Sequence, residues 1–308
     1  MQAALPLVLI AGLGAALASC GRSRAASEQR GAAPERAGER AGIALPGDCR
    51  GAWWDAGAGS LFVTDVTHDE LVQWRDGAGF ATVAKLPRAR SLGGVVRLAD
   101  GRFVISSFGF GEGAIYVIER GDARPVGKLD PARRRTSLAL APDGGVYAAY
   151  FEVTPGGAPH GGVSRLELAR EGGQEVGREV DVAAAALRKP VGLAATGAAL
   201  YVTDLHPEAL YAIPRAGAAA GAPAVAAPIS PDLPGPELVA ALPGGELIVV
   251  ARAGAVFRVP AAGPAAQIAQ GEGEVHAIAY DPARGRLFLV EERAVQPRHQ
   301  LHILSVPR

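Results

Sequence analysis

Short apolar runs, each about one strand long, are separated by turn residues along most of the chain, and no stretch sustains a helical period. The clearest pair is Leu61–Asp65 (Leu-Phe-Val-Thr-Asp) followed by Leu71–Trp74, and Leu200–Asp204 (Leu-Tyr-Val-Thr-Asp) followed by Leu210–Ile213. In both copies the spacing from Val-Thr-Asp to the next strand is identical. Weaker copies are Arg102–Ser106, Gly145–Ala149, Glu246–Val250 and Arg286–Val290, each after a turn such as Asp100-Gly101, Asp143-Gly144, Gly244-Gly245 or Asp281-Pro282. Another apolar stretch precedes each turn: Ala52–Trp54, Gly94–Leu98, Ser137–Ala141, Val191–Ala195, Leu238–Leu242 and Val275–Tyr280. Six units recurring every 40 to 50 residues or roughly so predict the blades of a propeller.

A fourth, outer strand is visible at Ala81–Lys85, Ala123–Gly127, Ala222–Ala226 and Ala265–Ala269. The last unit ends after its third strand, whereas Ala41–Pro46 reads as an outer strand with no unit of its own. The expectation is therefore an all-β, six-bladed β-propeller of four-stranded blades spanning residues 41–308, with the ring closed by N-terminal strand pairing with the last blade. Closure leaves only short, protected sheet edges.

The first residues are different. Met1–Ala18 is almost wholly apolar, short for a membrane span and suited to a signal peptide. It ends in Leu17-Ala18-Ser19-Cys20-Gly21, which resembles the bacterial lipobox, although no Lys or Arg precedes the apolar run. The reading is a lipoprotein signal peptide over 1–19, lipidation at Cys20 and a polar tether over 20–40 with an rms reach of roughly 25 Å. This implies extracytoplasmic localisation, anchored to a bacterial membrane (the outer membrane where the cell has one, since Gly21 is not Asp).

Composition narrows the partners. The 31 basic and 31 acidic side chains balance, which argues against a nucleic-acid binder. Asparagine is absent from all 308 residues. Cys49 is the one other cysteine; with Cys20 acylated it has no disulfide partner, and although Arg50 beside it can lower a thiol pKa, a buried thiol is the reading.

Arg50–Asp55 (Arg-Gly-Ala-Trp-Trp-Asp) with Leu61–Val66 resembles the opening of the SMP-30/gluconolactonase/LRE-like family, and Lys189–Leu193 with Leu200–Asp204 is similar to that family and to NHL-type blades. The resemblance implies a propeller that holds a divalent cation at its centre and opens lactones. It implies a Glu, inner-strand Asn residues and an Asp as metal ligands. Here Arg50 stands at the Glu position and Val191 at the Asp position, and there is no Asn at all. A guanidinium about 4 Å from a dication is repelled by about 8 kcal/mol at an effective dielectric of about 20. The expectation is no cofactor and no inherited metal site, the ion being possible but unsupported by these ligands.

Aligning the units on their turns puts Arg50, Gly93, Thr136, Lys189, Glu237 and His276 at equivalent entry positions around the central mouth, a mixed-charge ring suited to a polar or anionic ligand. Glu274 lies two residues before His276 and shares its strand face, so the pair can serve as a general base or as a ligand with its orienting carboxylate. The alternative is that these groups satisfy one another in a hydrated channel. The long Gly/Pro-rich Tyr150–Gly161 segment and Ser107–Glu112, with its two Phe, are expected to overhang the same face. Trp53, Trp54 and Trp74 lie in or beside strands and most of them are assigned to the core, Asp65 and Asp204 to capping turns, and His68 and His206 to solvent. Three functions stay open: a non-enzymatic propeller binding a small polar ligand or an envelope partner, a divergent hydrolase of lactones or esters using Glu237, Glu274 and His276, and a purely structural scaffold with an interface on its side face.

Overall fold

The computed structural model describes residues 42–86, 89, 91–109, 113–153, 156–183, 187–215, 227–229 and 232–306. Cys20, the segment 1–41, Phe110–Glu112, Thr154, Pro155 and the Ala222–Ala226 strand expected from sequence lie outside these residues.

The described chain forms six four-stranded antiparallel sheets. Blade 1 is β2 (Cys49–Asp55), β3 (Ser60–Asp65), β4 (Glu70–Arg75) and β5 (Gly79–Lys85); blade 2 is β6 (Leu92–Arg97), β7 (Phe103–Ser107), β8 (Ala114–Glu119) and β9 (Asp122–Pro125). Blade 3 is β10 (Arg134–Leu140), β11 (Val146–Glu152), β12 (His160–Glu171) and β13 (Gln174–Ala183); blade 4 is β14 (Pro190–Ala195), β15 (Ala199–Asp204), β16 (Ala209–Pro214) and β17 (Ala227–Ile229). Blade 5 is β18 (Pro236–Ala241), β19 (Leu247–Ala251), β20 (Ala255–Val259) and β21 (Ala266–Gln270). Blade 6 takes β22 (Glu274–Asp281), β23 (Arg286–Glu292) and β24 (His299–Ser305) from the end of the chain and β1 (Ile43–Ala44) from its beginning. Ile43 pairs with Leu301 and Ala44 with Gln300, and Leu45 N–H donates to the His299 carbonyl at 3.0 Å, so the ring closes as the sequence predicts.

The core lies between blades rather than within them. Val63, Val72, Trp54 and Trp74 of blade 1 pack on Ala277, Phe288, Val290 and Leu301 of blade 6, and Trp54 stacks on Phe288 with ring centroids 5.0 Å apart. Trp53 is only partly buried.

The repeated Val-Thr-Asp now has a physical meaning. Val63 and Val202 are fully buried in these inter-blade cores. The next residue, Thr64 or Thr203, donates its hydroxyl across to the following blade, to Gly93 O at 2.9 Å and Glu237 O at 2.6 Å. Asp65 and Asp204 then turn back on their own blades: Asp65 accepts from the Thr67 amide at 2.8 Å, and Asp204 from the amides of Arg188, Lys189 and His206 at 2.7–3.0 Å. Three consecutive residues therefore fill the core, tie neighbouring blades and cap the entry to the sheet, as buried polar groups require. His68 and His206 are exposed, as expected.

Candidate functional site at the seam of blades 1 and 6

Each innermost strand carries a β-bulge at the same height, where one extra residue breaks the register with the second strand. The bulged residues are Arg50, Thr136, Val191, Glu237 and His276, with Gly93-Gly94 in blade 2. Bulges re-aim side chains and recur beside binding sites. Here they form a ring, and Arg50, Thr136, Val191 and His276 line one cavity of about 90 Å³ in the central channel.

Five of the six turn-aligned entry positions coincide with this ring, and Lys189 does not. It lies two residues before the bulge at Val191, with its ammonium 5.8 Å from the centre of the Phe151 ring. The cause is the hairpin after it: Thr196 N–H bonds to Ala199 O across Gly197 and Ala198, whereas Asp55 and Ser60 pair across the longer Ala56–Gly59 turn in blade 1. Counting back from the turn overshoots. Glu237 occupies its predicted place but faces Arg252, whose Nε lies 3.5 Å away. Thr136 Oγ1 lies 2.9 Å from Pro190 O, a link between blades.

The remaining three candidates converge. His276 is 3% exposed at its side chain, with Nδ1 3.6 Å from Asp48 Oδ1, and Nε2 3.5 Å from both Glu274 Oε1 and Glu292 Oε2. Neither ring nitrogen has a hydrogen-bond partner. Arg50, from the adjoining blade, places Nε 2.8 Å from Asp48 Oδ1, donates from Nη2 to Asp48 Oδ2 at 2.9 Å and approaches Glu292 Oε2 at 3.7 Å. Asp48 is fixed by its own backbone, its amide bonding Thr67 Oγ1 and its carbonyl the Val66 amide. Arg298 Nε holds Glu292 Oε1 at 2.6 Å and leaves Oε2 facing the imidazole. Burial by itself raises the Asp48 carboxyl, but the His276 ring and the Arg50 guanidinium more than reverse this and hold it well below the usual carboxylate range.

Asp48 and Glu292 are absent from the sequence-derived set. Glu292 had a partial signal: following the β22–β23 hairpin outward from the turn after Asp281, with the one-residue bulge at His276 counted, pairs Glu274 with Glu292. Asp48 joins them only because the ring closes.

Asp48, His276 and Glu292 are the group among the described residues whose donor atoms, all within 4.8 Å of one another, form a candidate cation site. The residues do not fit a divalent ion. Arg50 already sits against Asp48 Oδ1 and near Glu292 Oε2, so an ion between these carboxylates would lie beside a fixed positive charge. Cys49, between Asp48 and Arg50 in the chain, is fully buried, as read from the sequence; burial first, then the charges of Asp65 and Asp48, push its thiol up.

Along the rest of that face, Glu152 at the end of β11 bonds His160 Nε2 at 3.2 Å, and Val153 beyond it is exposed. Phe108 is half-buried. Arg135, fully buried, forms a bidentate pair with Glu179, and Arg133 pairs with Asp181 at 2.8 Å and lies over the Tyr150 ring. This network anchors the long β12–β13 hairpin, and nothing in the spacing of its residues pointed to it.

No family model matches the chain, and no curated protein matches it. Solved structures do. It superposes on a gluconolactonase from Xanthomonas campestris with a TM-score of 0.65 and 19% identity, over 86% of this chain and 88% of that one. A calcium-binding regucalcin from Agrobacterium tumefaciens gives 0.62 and 17%, over 86% and 91%. The PQQ-bound aldose sugar dehydrogenase of Streptomyces coelicolor gives 0.62 and 17%, over 87% and 97%. At these identities the likeness is one of fold: the chain is a six-bladed propeller whose structural neighbours include gluconolactonase- and regucalcin-like proteins, and a fold of this kind hosts several chemistries.

Proposed function

We propose that the chain is an exported, lipid-anchored propeller whose mouth binds a small polar ligand, without a metal. The observation that supports this is the meeting of Arg50 and His276 at the seam, where Asp48 and Glu292 hold the guanidinium and face the imidazole. Arg50 and His276 line the cavity of about 90 Å³ at the channel neck, so the ligand is a small one that meets them there. Arg50, 35% exposed, supplies the fixed positive charge, and His276 supplies the group able to donate or accept.

The test is calorimetric titration of the full chain with gluconate and related small hydroxy acids, with and without EDTA. Binding that ignores EDTA and weakens by about tenfold or more in Arg50→Gln supports the reading, since a charge-assisted hydrogen bond contributes about 1.5–3 kcal/mol. EDTA-sensitive binding, or binding indifferent to Arg50, refutes it. The anchor is tested separately: Cys20→Ser should move the protein out of the detergent phase on phase partitioning.

One observation favours a second reading. The unbonded nitrogens of His276 suit a general base for opening a lactone or ester. Turnover of glucono-δ-lactone that disappears in His276→Gln, with the fold intact, would select catalysis over binding alone.

A further inference from the structure

The innermost strands run from the bulges at the polar mouth to hairpin turns at the other end of the ring, and the channel widens there into a bowl of about 730 Å³. The two cavities share Ala52, Leu138, Leu193, Val239 and Ile278 as walls, so polar neck and bowl are continuous. The bowl has a character of its own. In a chain that is 20% charged, none of its lining residues is Asp, Glu, Lys or Arg. Among its larger side chains, Trp53, Leu140, Tyr201 and Tyr280 are half-buried and therefore present surface to the bowl or its rim, whereas Trp54 and Leu242 are buried. The Tyr201 and Tyr280 hydroxyls have no hydrogen-bond partner among the described residues.

We infer that this bowl is a second ligand site, for a neutral, largely apolar small molecule that carries a hydrogen-bond acceptor. Its volume lies within the range of about 300–1,000 Å³ typical of small-molecule pockets, which are apolar with a few orienting polar groups. A charge entering it meets no counter-charge among the lining residues and sheds part of its water, which favours a neutral ligand over an anion or a cation. The two phenols, on blades 4 and 6, are free to donate to a carbonyl or ether oxygen held between aromatic and aliphatic walls. Apolar concavity and unpaired donors together select the ligand class. The site stands on the bowl alone and is independent of what the polar mouth does.

Benzophenone, a neutral diaryl ketone, is the probe. The full chain is irradiated with increasing benzophenone, and the adducts are mapped by peptide mass spectrometry. Saturable labelling on the segments holding Trp53, Tyr201, Leu242 or Tyr280 is expected. It should fall by about tenfold or more in Ala240→Glu and in Ala195→Glu, which place an unpaired carboxylate in the lining, and persist in His276→Gln. Tyr201→Phe and Tyr280→Phe, which keep the packing, should each weaken half-saturation even where a charged variant misfolds. Labelling scattered over the surface, failure to saturate, or full labelling in all four lining variants overturns the proposal.

Discussion

Glu291 shows how one residue couples the seam to pH. Its side chain is 1% exposed in β23, one position before Glu292, and burial pushes its carboxyl up to about 7, against an ordinary value of 4.5. The Glu272 amide, 3.3 Å from Oε2, and Arg293 oppose the shift, whereas the Glu272 charge adds to it. Between pH 4.5 and about 7 the folded chain keeps a proton that the unfolded chain has released. Stability therefore falls as pH rises through that window, by an amount on the order of 3 kcal/mol, and levels off above it. Glu291→Gln, which keeps the oxygen facing Glu272, should flatten this part of the profile in chemical unfolding at a series of pH values. An unchanged slope would show that Glu291 ionises freely. At this scale the sequence was readable where a residue repeats. Thr64 and Thr203 stand in copies of one motif, so their shared role was visible as a pattern even before the hydrogen bonds gave it a cause. Asp48 and Glu292 occur once each and acquire their role from each other, through contacts that no local spacing encodes.

The blades are placed by how closely their inner strands approach. A Cβ added at Gly51 would fall 2.0 Å from Gly93 O of the next blade, and one at Gly192 would fall 2.7 Å from Glu237 O. The carbonyls in question are those that accept from Thr64 and Thr203. Gly51→Ala should therefore push blade 2 away and break the threonine tie, destabilising by about 1–3 kcal/mol as overpacking does. Gly59→Ala, in an exposed turn with open space around its Cβ but a φ of 59°, should cost less. Comparing the two unfolding midpoints checks the argument, and equal losses would show that the close approach does not matter. Element identity was legible because alternating apolar runs and turn residues define strands locally. Bulge positions were legible where the hairpin turn spans three or four residues, and the two-residue turn of blade 4 is the reason Lys189 stood in for Val191. The outer strand of blade 3 went unassigned, since β13 is polar and half-exposed along much of its length.

At the scale of the molecule, two residues of β1 complete a sheet whose other strands lie at the opposite end of the chain. Deleting residues 42–46 should leave β24 as a bare edge, lower the unfolding midpoint by several degrees and favour association through that edge. Size-exclusion chromatography and thermal unfolding together measure this. A monomer of unaltered stability would show that closure is dispensable. The number of blades and the closing strand were legible because a period and a leftover strand are properties of the whole sequence. The site was half legible for the converse reason. The same closure brings Asp48 and Arg50 against His276 and Glu292, so the polar mouth is divided between the first strands made and the last. A chain still being synthesised holds only half of this cluster, so the proposed site is assembled at a single moment, when the final strand docks.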